Sequence, residues 1–362
     1  MLALRLRTTD YNNMKRLLLL FFVFSTTATL MAQDQHFTQF YASPLTLNPA
    51  MTGNFSGRYR VGMIYRDQWR GAFEQPFKTF SASADVRFDV PTQSRYKDAV
   101  AVGLLFFKDE VSGIDFVTNQ LALSGAFHKS LGYEGRQSLS VGVQLGLVQR
   151  SVNYERLTFD DEFNSIDGYT LETRENLPAN NFSFSDFNVG LNYSAQFGKK
   201  TVLNIGGAMH HVLQPQVTFY PLDSDAPITG NNKLFARYSG QISLEAPFAG
   251  NISIIPRVLF AKQGPHLELT AGANLRVPLN DYAGNALQFG VWARPVSNED
   301  DSYSLDAIIG MVGIEWNNIL FAVSYDVNLS DLTIYKQGQQ SFEFSILYLG
   351  DFDNESILCP KF

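Results

Sequence analysis

The chain has 362 residues, of which 45% are hydrophobic, 14% aromatic and 17% charged, and its formal net charge is −7. Soluble domains carry about 25% charged residues, so this chain is poor in charge. Its acidic balance argues against nucleic-acid binding, because contact with phosphates needs a basic surface. A single cysteine, Cys359, excludes an intramolecular disulfide framework and a zinc site built from several cysteines.

The first 32 residues have the layout of a secretory signal peptide. Two cations precede an apolar run over 17–23, and small and polar residues follow it. The run is shorter than the ~20 residues that a membrane-anchor helix needs, although an anchor remains the alternative. Met14 is an alternative start of the chain, and no cysteine follows the run to carry a lipid. We expect a mature chain that begins near Gln33, outside the inner membrane.

Beyond residue 57, apolar and polar residues alternate in one run after another. In "SLSVGVQLGL" (138–147), leucines and valines occupy every second position, and small or polar residues fill the others. "FSASADVRF" (80–88) and "HLELTAGANLRV" (266–277) repeat the pattern. A period of two over this length indicates a strand with one apolar and one polar face. About fourteen such runs are predicted, near 58–69, 77–90, 98–108, 116–130, 137–152, 186–198, 201–213, 236–248, 251–262, 266–278, 286–295, 303–315, 318–328 and 341–350.

The length of these runs favours a membrane protein. Strands of soluble proteins are usually about 5–6 residues long, whereas a strand needs about 9–11 residues to cross a bilayer at a tilt. A soluble β-sandwich also alternates, but no second layer is evident that could cover so many apolar faces. An even number of strands in a closed cylinder satisfies backbone hydrogen bonding inside a membrane. The sequence therefore predicts an all-β fold, a transmembrane antiparallel β-barrel of about 14 strands over residues 57–350.

The connections between the predicted strands indicate their orientation. With the N-terminus in the periplasm, connections after even-numbered strands should be short periplasmic turns. Three stretches fit this expectation: 198–200, 247–251 and 317–318. The long insertions at 153–185 and 214–235 follow odd-numbered strands and should be extracellular. Residues 33–56 then form a periplasmic N-terminal segment, and residues 351–362 form a periplasmic C-terminal tail.

No set of residues in the sequence indicates catalysis or a bound metal. His210 and His211 are adjacent on a predicted strand, so we expect them to point to opposite faces and not to chelate one metal. The acidic cluster 160–162 resembles a calcium loop in composition but lacks the ligand spacing. We therefore predict a protein that is not an enzyme and has no catalytic residues, metal or cofactor. The role of Cys359 is left open.

The polar faces of the predicted strands carry charges of both signs. A charge that faces lipid at the bilayer midplane would cost ~2–4 kcal/mol, so these side chains should face the lumen. The predicted lumen charges are Arg66, Asp85, Arg87, Glu245, Glu268, Arg276, Arg294, Asp306 and Asp326, and Arg257 and Glu343 share the same face. Opposite charges on facing walls predict a narrow, partly filled lumen. The wetted wall of a small pore is the alternative.

Several stretches of the sequence resemble one known family. They are "QFYASPLTLNPAMTG" (39–53), "YRDQWRG" (65–71), "PFKTFSASAD" (76–85), "FAVSYDVNLSDL" (321–332), "FEFSILY" (342–348) and "CPKF" (359–362). Together they resemble the PorP/SprF family of type IX secretion system outer-membrane proteins. The resemblance implies a barrel in the outer membrane of a Bacteroidota-type bacterium. It further implies a role in moving particular secreted proteins or gliding adhesins to the cell surface.

The resemblance also implies partners. Besides membrane lipids, these are other type IX secretion components, including periplasmic proteins linked to peptidoglycan, and the exported cargo protein or adhesin. No nucleic acid is implied. Which cargo is carried, the stoichiometry, and what the insertions 153–185 and 214–235 contact are all left open.

The segment before the first strand is apolar in patches and has neither a helical nor a strand period. Its two prolines keep it from joining a sheet. Its candidate partner-binding residues are Phe40, Tyr41, Pro44, Leu45, Leu47, Asn48, Pro49 and Met51. We hypothesise that the segment docks either into the periplasmic mouth of the barrel or against a periplasmic partner. A plain tether is the alternative.

Two other functions compete with a secretion accessory. A small-molecule porin or hydrophobic-solute transporter should have an N-terminal plug and a continuous path through the barrel. An outer-membrane enzyme needs a nucleophile, a base and an orienting acid near the outer rim, and the sequence does not single out such a set. Reconstituted conductance or solute uptake would favour the transporter, and whether the lumen is open or plugged is left open.

Overall fold

Fourteen antiparallel strands close into a barrel in the computed structural model, each paired with its neighbours in the chain and β1 paired with β14. The strands are β1 Tyr59–Gln68, β2 Phe77–Val90, β3 Asp98–Val111, β4 Phe116–Leu131, β5 Gln137–Ser151, β6 Asn181–Phe197, β7 Thr201–His210, β8 Arg237–Ala249, β9 Ile252–Gln263, β10 His266–Pro278, β11 Ala286–Ser297, β12 Tyr303–Trp316, β13 Ile319–Asn328 and β14 Gln340–Gly350. The predicted fold and strand number are confirmed.

The structure describes most of the chain beyond residue 33. The described residues are 34, 36–69, 76–90, 97–131, 136–166, 168–198, 200–220, 232–279, 285–297, 303–329 and 340–351. The predicted signal peptide, the tail from residue 352 with Cys359, and part of the insertion 214–235 lie outside these residues. No helix of the described part is long and apolar enough to cross a membrane.

Burial along the strands is inverted relative to a soluble protein. On β5, Leu145 is 62% exposed, whereas its neighbour Gln144 is 2% exposed. On β4, Leu123 is likewise exposed and Ser124 is buried. Successive side chains of a strand point to opposite faces, so the outer face of the barrel is apolar and the inner face is polar. This arrangement is the one that a lipid environment requires.

One strand extends further than the sequence pattern indicated. We predicted β6 from residue 186, whereas it begins at Asn181. The added residues 181–185 pair with the end of β5, and Phe182 and Phe184 continue the alternation of apolar and polar side chains. The long extracellular connection is therefore shorter than predicted and spans residues 152–180. The second long connection spans 211–236.

The barrel has two unlike ends. Both the start of β1 and the end of β14 lie at one end, where the connections are short, for example 250–251 and 317–318. The connections 152–180 and 211–236 lie at the other end. We refer to the first as the periplasmic end and to the second as the extracellular end, following the usual asymmetry of outer-membrane barrels.

The residues before β1 fold into three short helical turns. They are a 3₁₀ turn at Phe40–Ala42, the helix α1 at Pro44–Leu47 and a second 3₁₀ turn at Pro49–Met51. Prolines stand at the first positions of α1 and of the second 3₁₀ turn, where a helix needs no backbone donor. The segment and the barrel belong to one compact unit, Gln35–Phe362.

Candidate functional site

The segment of residues 36–53, named the plug here, occupies the lumen of the barrel. At one end, Glu343 near the extracellular start of β14 accepts hydrogen bonds from the backbone N–H of Thr38 at 2.6 Å and of Gln39 at 2.8 Å. At the other end, the backbone N–H of Gly53 donates to Asp85 on β2 at 2.7 Å. The plug therefore runs along the lumen from its extracellular half towards the periplasmic end.

The extracellular anchor of the plug is a buried network of charges. Arg66 donates to Glu343 at 2.7 Å, and Arg294 donates to Asp326 at 3.1 Å. The hydroxyl of Thr38 lies between the two pairs, because it donates to Asp326 at 2.7 Å and accepts from Arg66 at 3.0 Å and from Arg294 at 3.1 Å. Buried charges are stable only when they are paired and hydrogen-bonded, and here a residue of the plug completes the bonding.

A β-bulge brings one further carboxylate to this network. The register between β11 and β12 shifts at Arg294 and Pro295, and Asp306 lies opposite the shift. Asp306 accepts a hydrogen bond from the Nε of Arg294 at 2.9 Å. Bulges re-aim side chains and accommodate prolines within sheets, so this irregularity positions an acid that a regular ladder would place differently.

The periplasmic anchor uses a second ion pair. Arg60 and Asp85 form two hydrogen bonds of 2.9 and 2.7 Å, and Arg60 also donates to the carbonyl of Met51 at 2.9 Å. The ring of His128 lies 2.7 Å from the carbonyl of Thr52. Here the wall of the barrel binds the main chain of the plug.

A glycine ends the plug at this anchor for a steric reason. Gly53 has φ +72°, in the left-handed region, and a Cβ on it would overlap the side chain of Ala101 on β3. Only glycine meets both conditions without strain. The chain therefore turns against the wall at this point and continues towards β1.

Asn48 fixes the middle of the plug in a slot formed by glycines of the wall. Its Nδ2 donates to the backbone carbonyls of Leu191 on β6 at 3.0 Å and Gly207 on β7 at 3.2 Å. A Cβ on Gly190 would overlap the amide of Asn48, and a Cβ on Gly142 would overlap the backbone of the following residues of the plug. Glycines therefore allow a close approach of the two backbones.

Apolar and aromatic contacts also hold the plug against the wall of the barrel. Leu45 of α1 is fully buried against Leu105 on β3 and Ala122 on β4. On the opposite side, Tyr41 stacks on Trp292 of β11 with ring centroids 5.8 Å apart. The guanidinium of Arg257 lies 4.1 Å from the centre of the Tyr41 ring, in a cation–π contact. The plug thus contacts both halves of the barrel wall.

Adding a methyl group to the slot is expected to destabilise the docked plug. In Gly190→Ala, the new Cβ meets the side chain of Asn48, and overpacking of this kind costs about 1–3 kcal/mol. The measurement is the urea midpoint of the protein in lipid vesicles. Gly310→Ala is the matched control, because a Cβ there has no neighbour within 4 Å. Equal midpoints for the two variants would contradict the slot.

The structure places all eight candidate residues of the N-terminal segment within the lumen. Phe40, Pro44, Leu45, Leu47, Asn48 and Pro49 are buried, whereas Tyr41 and Met51 are partly exposed. The segment is docked into the barrel and reaches well beyond the periplasmic mouth. A periplasmic protein could meet these side chains only after the plug had left the lumen.

The structure also places the nine predicted lumen charges on inward faces of their strands. Arg66, Asp85, Arg294 and Asp326 are buried; Arg87, Glu245, Glu268, Arg276 and Asp306 are partly exposed. Glu343 is buried among them, and the partly exposed Arg257 faces the plug. The lumen contains ion pairs of opposite sign together with the plug, which matches the filled interior and not the wetted wall of a small pore.

Several residues of the site were not singled out by the sequence patterns. Arg60 shares a strand face with Arg66, so its alternation could have identified it. Glu315, whose two carboxylate oxygens share the single Nε–H of Arg276 at 2.9 Å, shows the same signal on β12. The glycines that receive Asn48 have no local signal, because their role depends on the register of strands far apart in sequence.

The histidine pair differs from the sequence-based expectation. β7 ends at His210, and His211 follows it with φ +54°. This backbone turn brings Nδ1 of His211 to 2.8 Å from Asp186, an inward-facing residue of β6, while His210 lies 3.2 Å from the carbonyl of Leu47. The two side chains therefore do not point to opposite faces. Within the described residues, no group of three His, Cys, Asp or Glu side chains could hold a metal ion.

The first long extracellular connection carries a folded tip, residues 160–166 and 168–174. The carbonyl of Glu162 accepts hydrogen bonds from the backbone N–H of Thr170 and Leu171 at 2.9 and 3.0 Å. The side chain of Asn164 accepts from the backbone N–H of Ile166 at 2.9 Å and of Gly168 at 3.2 Å. Such side-chain bonds stabilise tight turns, so the tip has a defined conformation.

Asp161 closes the base of the tip, and its pKa is lowered by the hydrogen bond from the backbone N–H of Arg174, at 2.6 Å, and by that from the hydroxyl of Thr173. A carboxyl whose pKa is lower in the folded tip stabilises the tip when ionised. This stabilisation is present above the usual aspartate pKa of about 3.9 and is lost as the pH falls through the lowered value.

We expect the amide proton of Arg174 to titrate with a midpoint below that of a free aspartate, because it reports the protonation of Asp161. Solution NMR of the protein in detergent micelles measures this midpoint. In Asp161→Asn the titration should disappear and the Arg174 amide should exchange faster at neutral pH. A midpoint at or above the ordinary aspartate value would contradict the proposed role of Asp161.

Comparisons with known structures return outer-membrane barrels at low sequence identity. CymD, a monoaromatic hydrocarbon channel, is 12% identical with a TM-score of 0.48, and 86% of this chain matches 93% of that chain. BamA from Haemophilus ducreyi lacking POTRA domains 1–3 is 10% identical with a TM-score of 0.43, covering 81% of this chain and 70% of that one. CdiB from Acinetobacter baumannii is 10% identical with a TM-score of 0.41, covering 80% of this chain, which spans only 60% of CdiB.

Comparison with protein families gives the assignment. A search of curated proteins returned no match. Residues 29–348 match the family described as "Type IX secretion system membrane protein PorP/SprF". This range includes the plug and all but the last two residues of the barrel. The chain therefore belongs to the PorP/SprF family of type IX secretion system membrane proteins, and its β-barrel lies in the outer membrane.

Proposed function

We propose that this barrel is a closed, non-enzymatic accessory of the type IX secretion system that assists the export or surface delivery of particular secreted proteins or gliding adhesins. The family assignment supports the secretion role. The observation that supports a closed lumen is the plug, because its residues Leu45, Asn48 and Ala50 are fully buried inside the lumen. A protein does not cross the membrane through a lumen that is filled in this way.

With the lumen occupied, the partners of this barrel meet its two ends. Periplasmic components of the secretion machine, including proteins linked to peptidoglycan, contact the periplasmic end, where residues 54–58 connect the plug to β1. Exported cargo contacts the connection 152–180 at the extracellular end. The plug acts as a structural support that holds the strands in place, and its candidate partner-binding residues would serve a partner only in a released state.

The experiment compares a strain that lacks the protein with its parent. We expect a defined subset of type IX cargo to disappear from the cell surface, measured by proteomics of surface-shaved cells, while other cargo and the uptake of small solutes are unchanged. Affinity purification from the native membrane should recover other components of the secretion system. Normal surface delivery of every cargo in the deletion strain would refute the proposal.

The alternative is a small-molecule porin or hydrophobic-solute transporter. The N-terminal plug is a feature that we also expect of such a transporter, so its presence alone does not favour either function. The difference is a continuous path. Leu45 and Asn48 of the plug are fully buried among the side chains that the structure describes. This burial supports the closed accessory. Solute uptake that depends on this protein would favour the transporter.

A further inference from the structure

The folded tip of the first extracellular connection exposes large apolar side chains. Ile166 is 85% exposed, Leu171 54%, Tyr169 53% and Phe163 43%. They lie on a structure that the hydrogen bonds of Glu162, Asn164 and Asp161 hold together. A cluster of exposed apolar side chains on a preorganised structure is typical of an interaction surface, because little conformational entropy is lost on binding.

The connection 152–180 that carries the tip is closed and packed where it leaves the barrel. The backbone N–H of Val152 donates to the carbonyl of Asn180 at 2.9 Å, which closes the connection just above β5 and β6. Beside this point, the rings of Phe182 on β6 and Phe219 of the second long connection meet at 4.7 Å between centroids. The guanidinium of Arg150 lies 5.7 Å from the ring of Phe184. The base of the connection 152–180 is therefore packed against the extracellular rim.

The charges around the tip define the chemistry of its partner. Residues 152–180 contain seven acidic residues and two arginines. Asp160 and Glu172 are exposed next to the apolar side chains. An acidic surface repels nucleic acid and anionic lipid headgroups, and it attracts a basic protein surface over about a Debye length. The complementary surface has an apolar pocket with lysines and arginines around it.

We propose that the tip is a docking site for a basic surface of an exported protein after it has crossed the membrane, with Ile166 as the apolar anchor. This inference rests on the proposed function and adds to it the residues and the chemistry of the extracellular contact. Ile166 enters a pocket of the partner, and Glu172 and Asp160 pair with cations at its edge.

A first experiment identifies the occupant of the tip in cells with active type IX secretion. A photo-crosslinking amino acid is placed at residue 166 and, as the matched control, at residue 213, because Leu213 is 70% exposed on the other long connection. We expect an adduct with one exported protein at position 166 and none at position 213. Equal adducts at both positions, an adduct with a second copy of this chain, or an adduct with lipopolysaccharide would overturn the proposal.

A second experiment purifies the exported protein that the crosslink identifies and measures its binding to the detergent-solubilised barrel. Ile166→Ser should raise the Kd about tenfold or more, since the burial of an isoleucine side chain is lost, whereas Leu213→Ser should leave the Kd unchanged. Glu172→Lys should slow association and reduce its dependence on salt. A Kd that is the same in wild type and Ile166→Ser would overturn the proposal.

The two proposals fail in different ways. If deletion of the whole chain abolishes surface delivery of cargo while the crosslinker at position 166 gives no adduct, or Ile166→Ser leaves the Kd unchanged, the docking site is wrong and the secretion role stands. If deletion of the chain leaves all cargo at the surface, the secretion role itself is wrong.

Discussion

A barrel that lacks residues 37–53 is expected to conduct ions in planar lipid bilayers, whereas the intact protein is expected to give no conductance steps. Fourteen strands spaced by about 4.8 Å and tilted by about 40° enclose a cylinder about 28 Å across between backbones. In the intact protein the plug fills this space, with Leu45, Asn48 and Ala50 fully buried. Its removal exposes a polar wall that water and ions can occupy.

A second variant guards against misfolding of the shortened chain. Gly142→Leu combined with Gly190→Leu keeps every residue of the plug but fills the slot that receives Asn48 and the residues after it. We expect this variant to conduct as well, because the two leucine side chains prevent the plug from docking in the lumen. Conductance of the intact protein, or closed barrels in both variants when their heat-modifiable mobility on gels shows them to be folded, would contradict a plug that closes the lumen.

Replacement of Glu343 by alanine is expected to lower the free energy of unfolding by about 3–5 kcal/mol, because a buried charge network then loses one partner. Arg66 loses its 2.7 Å carboxylate partner, and the backbone N–H groups of Thr38 and Gln39 lose their common acceptor. The extracellular end of the plug loses its anchor at the same time. Urea unfolding in lipid vesicles, followed by tryptophan fluorescence, measures the change.

The matched control is a pair of the same type in contact with water. Arg58 and Asp89 are 3.0 Å apart, with side chains 25% and 29% exposed, and exposed pairs contribute about 0–1 kcal/mol. Asp89→Ala should therefore cost about 1 kcal/mol or less. A loss in Glu343→Ala no larger than that in Asp89→Ala would show that the network does not hold the plug.

The barrel itself could be predicted from the sequence because its signal is local and repeated. Each strand alternates on its own, as Val141, Val143 and Leu145 do on β5, and the burial of the structure follows this alternation. The lipid on one side and the polar interior on the other impose the same period on every strand. The start of β6 was predicted too late, because the serines and phenylalanines at its extracellular end lie beside an irregular insertion.

The position of the plug could be anticipated only in part. Its prolines and its lack of a period exclude it from the sheet, and its apolar residues indicate that it is covered. Its partners, however, lie on strands from β1 to β14, and Thr38 alone contacts residues that are 28, 256, 288 and 305 positions away in the chain. No local pattern contains that information, since it arises from closure of the barrel.

Charged residues illustrate the same limit. The side on which Arg66 and Asp326 lie follows from the alternation, but which carboxylate each arginine pairs with does not. The pairing of Arg294 with Asp306 depends on a bulge between β11 and β12, and a shift of register by one residue reverses the face of every side chain beyond it. Sequence patterns therefore identify the composition of the lumen and leave its network to the structure.

Thiol labelling tests the position of the plug most directly. In a Cys359→Ser background, single cysteines replace Leu45, which is fully buried in the lumen, and Ser56, which is exposed at the periplasmic end. In outer-membrane vesicles opened to the reagent, the cysteine at position 56 should react rapidly with a water-soluble maleimide, and that at position 45 should react only after denaturation. Equal reaction rates at the two positions in the folded protein would contradict a segment held inside the barrel.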